Sequence, residues 1–159
     1  MKQSGSRSAS RLPAARAAGV VGFHLRAPKS GPMEVDLTPS RIVHAIELGL
    51  PIAELEALRE SLGIPLDRLA TLLGISKATL HRRRTQGRLD PAESDRVVRF
   101  ARLVGRAAEV LDGEENARRW LDSVQQGLGG VAPLDFAVTE TGAREVEDLL
   151  GRIEFGVYS

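Results

Sequence analysis

Apolar positions in this chain recur three and four residues apart, a spacing that predicts helices. Thr38-Pro39 pairs a capping hydroxyl with a proline at the first helical position, and Ile42, Val43 and Ile46 then form one apolar face until Gly49 and Pro51 stop it. Leu55, Leu58 and Leu62 mark a second helix ended by Gly63, and Leu66, Leu69, Ala70 and Leu73 a third closed by Gly74. A fourth starts behind Ser76. Asp90-Pro91-Ala92-Glu93 combines a cap, a first-turn proline and a glutamate three residues after the cap. It launches the longest predicted helix, Pro91–Leu111, whose stripe is Val97, Ala101, Val104, Ala108 and Leu111. Asp112-Gly113 ends it, Glu114–Val124 is helical again, and Gly127–Pro133 is a loop with three glycines. The last helix is predicted from Glu140 to Phe155, with Ala143, Val146, Leu150 and Ile153 on one side. No window alternates with the period of a strand, so the expected fold is all-α.

Charge divides the chain more sharply than its net value of +1 indicates. Residues 1–33 hold six basic residues and no acid, in a Ser-, Gly-, Pro- and Arg-containing stretch with little apolar surface to offset ordering entropy. We therefore expect a disordered basic segment there. Residues 60–106 hold ten basic residues and five acids, residues 107–159 four and eleven. A cationic block beside an anionic one predicts two surfaces with different partners, phosphate for the first and protein for the second. The expected organisation is 1–33 as a tail, 34–106 as a helical region with the basic block, and 107–159 as an acidic module.

Within the basic block, Ile64–Arg84 has the pattern of a helix-turn-helix. Gly74 suits the left-handed turn, Ile75 plugs the corner, Ser76 caps the second helix and Leu80 faces the core. Lys77, Ala78, His81 and Arg82 then share the outer face, where cations can donate to guanine and a methyl group can meet thymine. Ser76, Thr79, Arg83, Arg84 and Arg88 are expected at phosphates.

The acidic module has a docking unit's features: a single Trp120, a Leu128-Gly129-Gly130 turn that lets backbone approach a packed surface, and a Pro133-Leu134 helical turn. Trp120, Leu134, Val146 and Leu150 are expected in the core. The end of the chain, Arg152, Glu154, Phe155, Gly156, Val157, Tyr158 and Ser159, mixes charge, aromatics and a free carboxylate.

Leu66–Arg106 resembles the Xre-type helix-turn-helix of the Xre/MbcA/ParS antitoxins. The resemblance continues through Ala117-Arg118-Arg119-Trp120-Leu121, Leu128-Gly129-Gly130, Pro133-Leu134-Asp135, Thr139, Gly142, Val146, Leu150-Gly151-Arg152-Ile153-Glu154 and Gly156. It implies a type II antitoxin that binds a RES-type toxin, an enzyme that degrades NAD or transfers its ADP-ribose. It also implies that Arg152–Ser159 covers the toxin's cofactor cleft, with Tyr158 stacking where a cofactor ring would lie. The acidic module suits a cationic, phosphate-receiving pocket. The resemblance further implies repression of a shared operon, which calls for two half-sites and hence a homodimer within a larger toxin–antitoxin complex. The stripe of the Pro91–Leu111 helix is one expected seam.

Other classes fit less well. Histidines 24, 44 and 81 lie in a tail, an amino-terminal helix and the expected DNA face, without a nucleophilic triad or metal-ligand spacing. Glu114-Glu115 and Glu145/Glu147/Asp148 sit on acidic helices. Catalytic residues, metal and cofactor are therefore all expected to be absent. With no cysteine there is no disulfide or thiolate chemistry, and no apolar run reaches the roughly 20 residues of a membrane span. The expected location is the cytoplasm. The alternative is a stand-alone repressor whose carboxyl-terminal domain senses a small ligand.

Overall fold

The structure, a computed structural model, describes residues 39–156. The basic segment 1–33, the Thr38 cap and the calls on Val157, Tyr158 and Ser159 fall outside the described residues. In chain order the helices are α1 (Pro39–Leu48), α2 (Ile52–Leu62), α3 (Leu66–Leu72), α4 (Lys77–Gln86), α5 (Pro91–Val110), α6 (Glu114–Leu121), α7 (Pro133–Phe136) and α8 (Glu140–Glu154). A 3-10 turn, Gln126–Leu128, lies between α6 and α7. Extended pairing among the described residues is confined to two isolated bridges, Pro51 with Arg88 and Gln125 with Val131.

Helix α5 is the axis of the fold. Both halves of its capping box form: the Glu93 amide donates to Asp90 Oδ1 at 2.7 Å, and the Asp90 amide donates to Glu93 Oε2 at 2.9 Å. Beyond the cap its buried residues go most of the way round: Val97, Val98, Phe100, Ala101, Leu103, Val104, Gly105, Ala107 and Ala108. A helix apolar on so many sides needs neighbours on as many, and α1, α2, α6 and α8 supply them. This corrects the expected dimer seam. Val97, Ala101, Val104 and Ala108 are at most 6% exposed and are already covered by the chain's own helices.

One apolar core therefore runs from Leu50 through Phe100 to Leu150 with no break near residue 106. Cross-links join its two halves. Arg118 on α6 donates through Nε to Ser61 O at 2.7 Å and through Nη2 to Glu60 O at 3.1 Å, satisfying the end of α2. Arg68 on α3 pairs with Asp122 at 2.6 Å.

Four local expectations change. Val43 is 54% exposed, and α1 instead rests on the core through Ile42, Ala45 and Ile46. Helix α6 stops at Leu121 rather than Val124, because the Gln125 side chain donates to Trp120 O and the chain turns into the Gln125–Val131 bridge. Trp120 is half-buried rather than interior, flanking a hollow with Leu111, Asn116, Arg119, Ser123 and Gln125. At Gly129 and Gly130 the backbone has φ of 69° and 79° with open space around it, so the turn needs glycine for its angle and not for close approach. Leu134, Val146 and Leu150 are buried as expected.

Candidate functional site

Helices α3 and α4 form the helix-turn-helix, and hydrogen bonds hold its turn at every step. Gly74 takes φ of 66°, its amide donates to Thr71 O at 3.1 Å, and the Ile75 amide donates to Ala70 O at 2.8 Å. From α5, Arg96 Nη1 donates to Leu73 O at 2.9 Å. Ser76 then caps α4: its hydroxyl oxygen accepts from the Thr79 amide at 3.2 Å and lies 3.0 Å from Thr79 Oγ1. Ile75 and Leu80 are buried beneath.

The outward face of α4 carries Lys77, Ala78, His81 and Arg82, all exposed. Among the described residues none of the Lys77, His81 or Arg82 side chains has an ion pair or hydrogen bond. Free donors on one helical face can enter a groove without breaking an internal bond.

The other cations expected at phosphates are placed differently. Arg83 turns inward: Nε lies 2.8 Å from Glu93 Oε2, Nη2 3.0 Å from Asp90 Oδ2 and Nη1 3.1 Å from Gln86 Oε1. The Glu93 hydrogen bond is the main cause that raises the Arg83 pKa above the ordinary guanidinium value. Arg84 reaches back to Glu56 on α2 at 2.8 Å, and that bond holds the Glu56 carboxyl below the usual glutamate value. Arg88 donates to the carbonyls of Leu48 and Gly49, which end α1. Ser76 and Thr79 sit together at the amino end of α4. In the sequence Asp90 and Glu93 show only the pattern of a cap. A partner ten residues away across a turn leaves no periodic signal, and only the fold brings Arg83 to them.

At the other end of the molecule α8 begins at Thr139, whose Oγ1 accepts from the Gly142 amide at 3.0 Å. Arg99 ties this end to α5 through Glu140 at 3.1 Å. Glu145, Glu147 and Asp148 are exposed on the outer side of α8. Of the expected terminal contacts, Arg152 is half-buried, Phe155 is 80% exposed, and Gly156 has φ of 69°. Glu154 forms an ion pair with Arg106 on α5, whose hydrogen bond lowers its pKa from the ordinary glutamate value. Arg106 carried no site expectation, yet it anchors the last turn before the chain's end.

The cationic outer face of α4 and the acidic terminus thus belong to separate surfaces joined through α5. Residues 41–102 match the antitoxin Xre-like helix-turn-helix domain, and residues 106–156 match the antitoxin Xre/MbcA/ParS carboxyl-terminal toxin-binding domain. An Antitoxin Xre of Yersinia enterocolitica is 37% identical over 131 residues, covering 79% of this chain and 88% of that protein. Another of the same name, from Photorhabdus laumondii, is 31% identical over 113 residues, covering 70% and 76%. A Prs ADP-ribosylating antitoxin of a Sphingobium species is 24% identical over 132 residues, covering 77% and 83%. With both family domains matched in order and a relative aligned along most of its length, this chain belongs to the Xre/MbcA/ParS family of antitoxins.

Proposed function

We propose that this antitoxin neutralises a RES-type toxin that consumes NAD or transfers its ADP-ribose, and that it represses the operon encoding both. The observation that carries the proposal is the segregation of its exposed groups. Unengaged cations and Ala78 face outward on α4, while α8 presents carboxylates and ends in a freely exposed Phe155. The first set suits phosphate and base edges. The second suits a cationic cleft built to receive a dinucleotide, with Arg152–Ser159 entering it and Tyr158 taking the ring's place. The ADP-ribosylating name of the Sphingobium relative points to the same toxin chemistry. Operator binding uses a homodimer, and both activities operate in the cytoplasm, where promoter and NAD meet; no helix among the described residues is long and apolar enough to cross a membrane.

Two variants separate the surfaces. Lys77→Glu combined with Arg82→Glu should weaken binding to the chain's own promoter by at least about hundredfold and leave protection of toxin-expressing cells intact. Removing residues 152–159 should do the reverse. Loss of both activities in either folded variant would overturn the two-surface assignment. A truncated chain that still protects would remove the terminus from the toxin contact, and promoter binding without any protection by the intact chain would favour the ligand-sensing repressor.

A further inference from the structure

We propose that Arg83 contacts no phosphate and instead sets the angle of the recognition helix, acting as a positioning residue for operator reading. This inference rests on the DNA-binding assignment of α4. Helix α4 is ten residues long and buries a single side chain, Leu80. One buried point lets a helix roll about its axis, and a roll moves Lys77, Ala78, His81 and Arg82 together relative to base edges. A second anchor is needed. Arg83 supplies it three residues on from Leu80, with all three guanidinium nitrogens engaged and its side chain only 16% exposed.

The partners of Arg83 are themselves immobile. Glu93, 7% exposed in its side chain, also accepts from the Asp90 amide, so one carboxylate oxygen serves both the α5 cap and the guanidinium. Next to it, Ser94 is fully buried; its hydroxyl donates to Asp90 O at 2.6 Å and accepts from the Leu50 amide at 2.8 Å. The start of α5 is thereby fixed to the chain leading into α2, and Arg83 ties α4 to that fixed point. Turning Arg83 outward to a phosphate would leave the Glu93 carboxylate buried without its cation, an arrangement proteins avoid. Two other tethers act on this side: the Ile52 amide donates to Gly87 O at 3.0 Å, which holds the end of the helix axis without fixing the roll about it, and the Arg84–Glu56 pair is substantially exposed, where salt screens it.

Phosphate contact and positioning predict opposite results for two variants of the full chain. Arg83→Lys keeps the charge but cannot span two carboxylates as a planar fork does. Glu93→Gln leaves Arg83 in place and releases it. Binding would be measured to a duplex of the DNA immediately upstream of the chain's own reading frame and to a scrambled duplex, across a salt series, with thermal melts confirming that each variant folds. Positioning predicts that each variant lowers affinity for the upstream duplex at least about tenfold, the discrimination one base contact carries. Affinity for the scrambled duplex and the salt slope stay at wild-type values, and the double variant is no worse than the poorer single one. Wild-type affinity in Arg83→Lys, or affinity at or above wild type in Glu93→Gln, would make Arg83 a phosphate contact and overturn the proposal. A wild-type chain that binds both duplexes equally or not at all would instead show that the DNA-binding assignment has failed, and the proposal with it.

Discussion

Gly142 shows how one missing atom decides a helix start. A Cβ built there would stand 1.8 Å from Phe136 O, and backbone oxygen cannot rotate away as a side chain can. Gly142→Ala should therefore destabilise the protein by about 3 kcal/mol, the upper end of the usual overpacking cost, measurable by denaturant titration. An alanine variant as stable as wild type would mean that α7 shifts freely against α8. Glu154 gives a second test at this scale. Its folded pKa lies below the unfolded value because Arg106 bonds the carboxylate form. The stabilisation is thus present above the ordinary glutamate range and is lost as pH falls through the lowered folded value. Carbon-detected titration of Glu154 should show a midpoint below the usual value, and Arg106→Gln should return it upward.

Among the elements, α5 carries the most consequence. Its amino end holds Arg83 and the turn through Arg96, its middle holds the core, and Arg106 near its far end holds the last turn of α8. Much of this element could be read from the sequence: Asp90, Pro91 and Glu93 announced the start, and Asp112-Gly113 the stop. Its role could not. A stripe such as Val97, Ala101, Val104 and Ala108 has the same spacing whether a partner subunit or the same chain covers it. The presence of α1, α2, α6 and α8 settled that. Helix α4 gives the converse case. Ser76, Gly74, Ile75 and Leu80 act locally and sit where the sequence alone places them, whereas Arg83, Arg84 and Arg88 share the composition of Arg82 and differ only in what the fold sets beside them.

Across the whole molecule, continuity of the core predicts that the DNA-reading half and the acidic half unfold together. Phe100 is fully buried in the middle of α5. Phe100→Ala should cost about 3–5 kcal/mol and shift one transition seen alike by helix dichroism and by the fluorescence of Trp120, the sole tryptophan. Separate transitions, with the Trp120 signal unmoved, would mean the halves are independent units despite their shared helix. The half-buried setting of Trp120 beside Arg119 and Gln125 makes its emission sensitive to loss of the α6 packing.

Helix positions, caps, the helix-turn-helix and the segregation of charge rest on neighbours within a few residues, and such information is complete in the order of the amino acids. Which cations stay free and which stripe is interior depend on groups tens of residues apart. Arg118 meeting Ser61, Arg106 meeting Glu154 and Arg99 meeting Glu140 obey no periodicity. Coulomb attraction and exclusion of water choose those pairs only once packing has set the distances, so the tertiary structure alone could assign them.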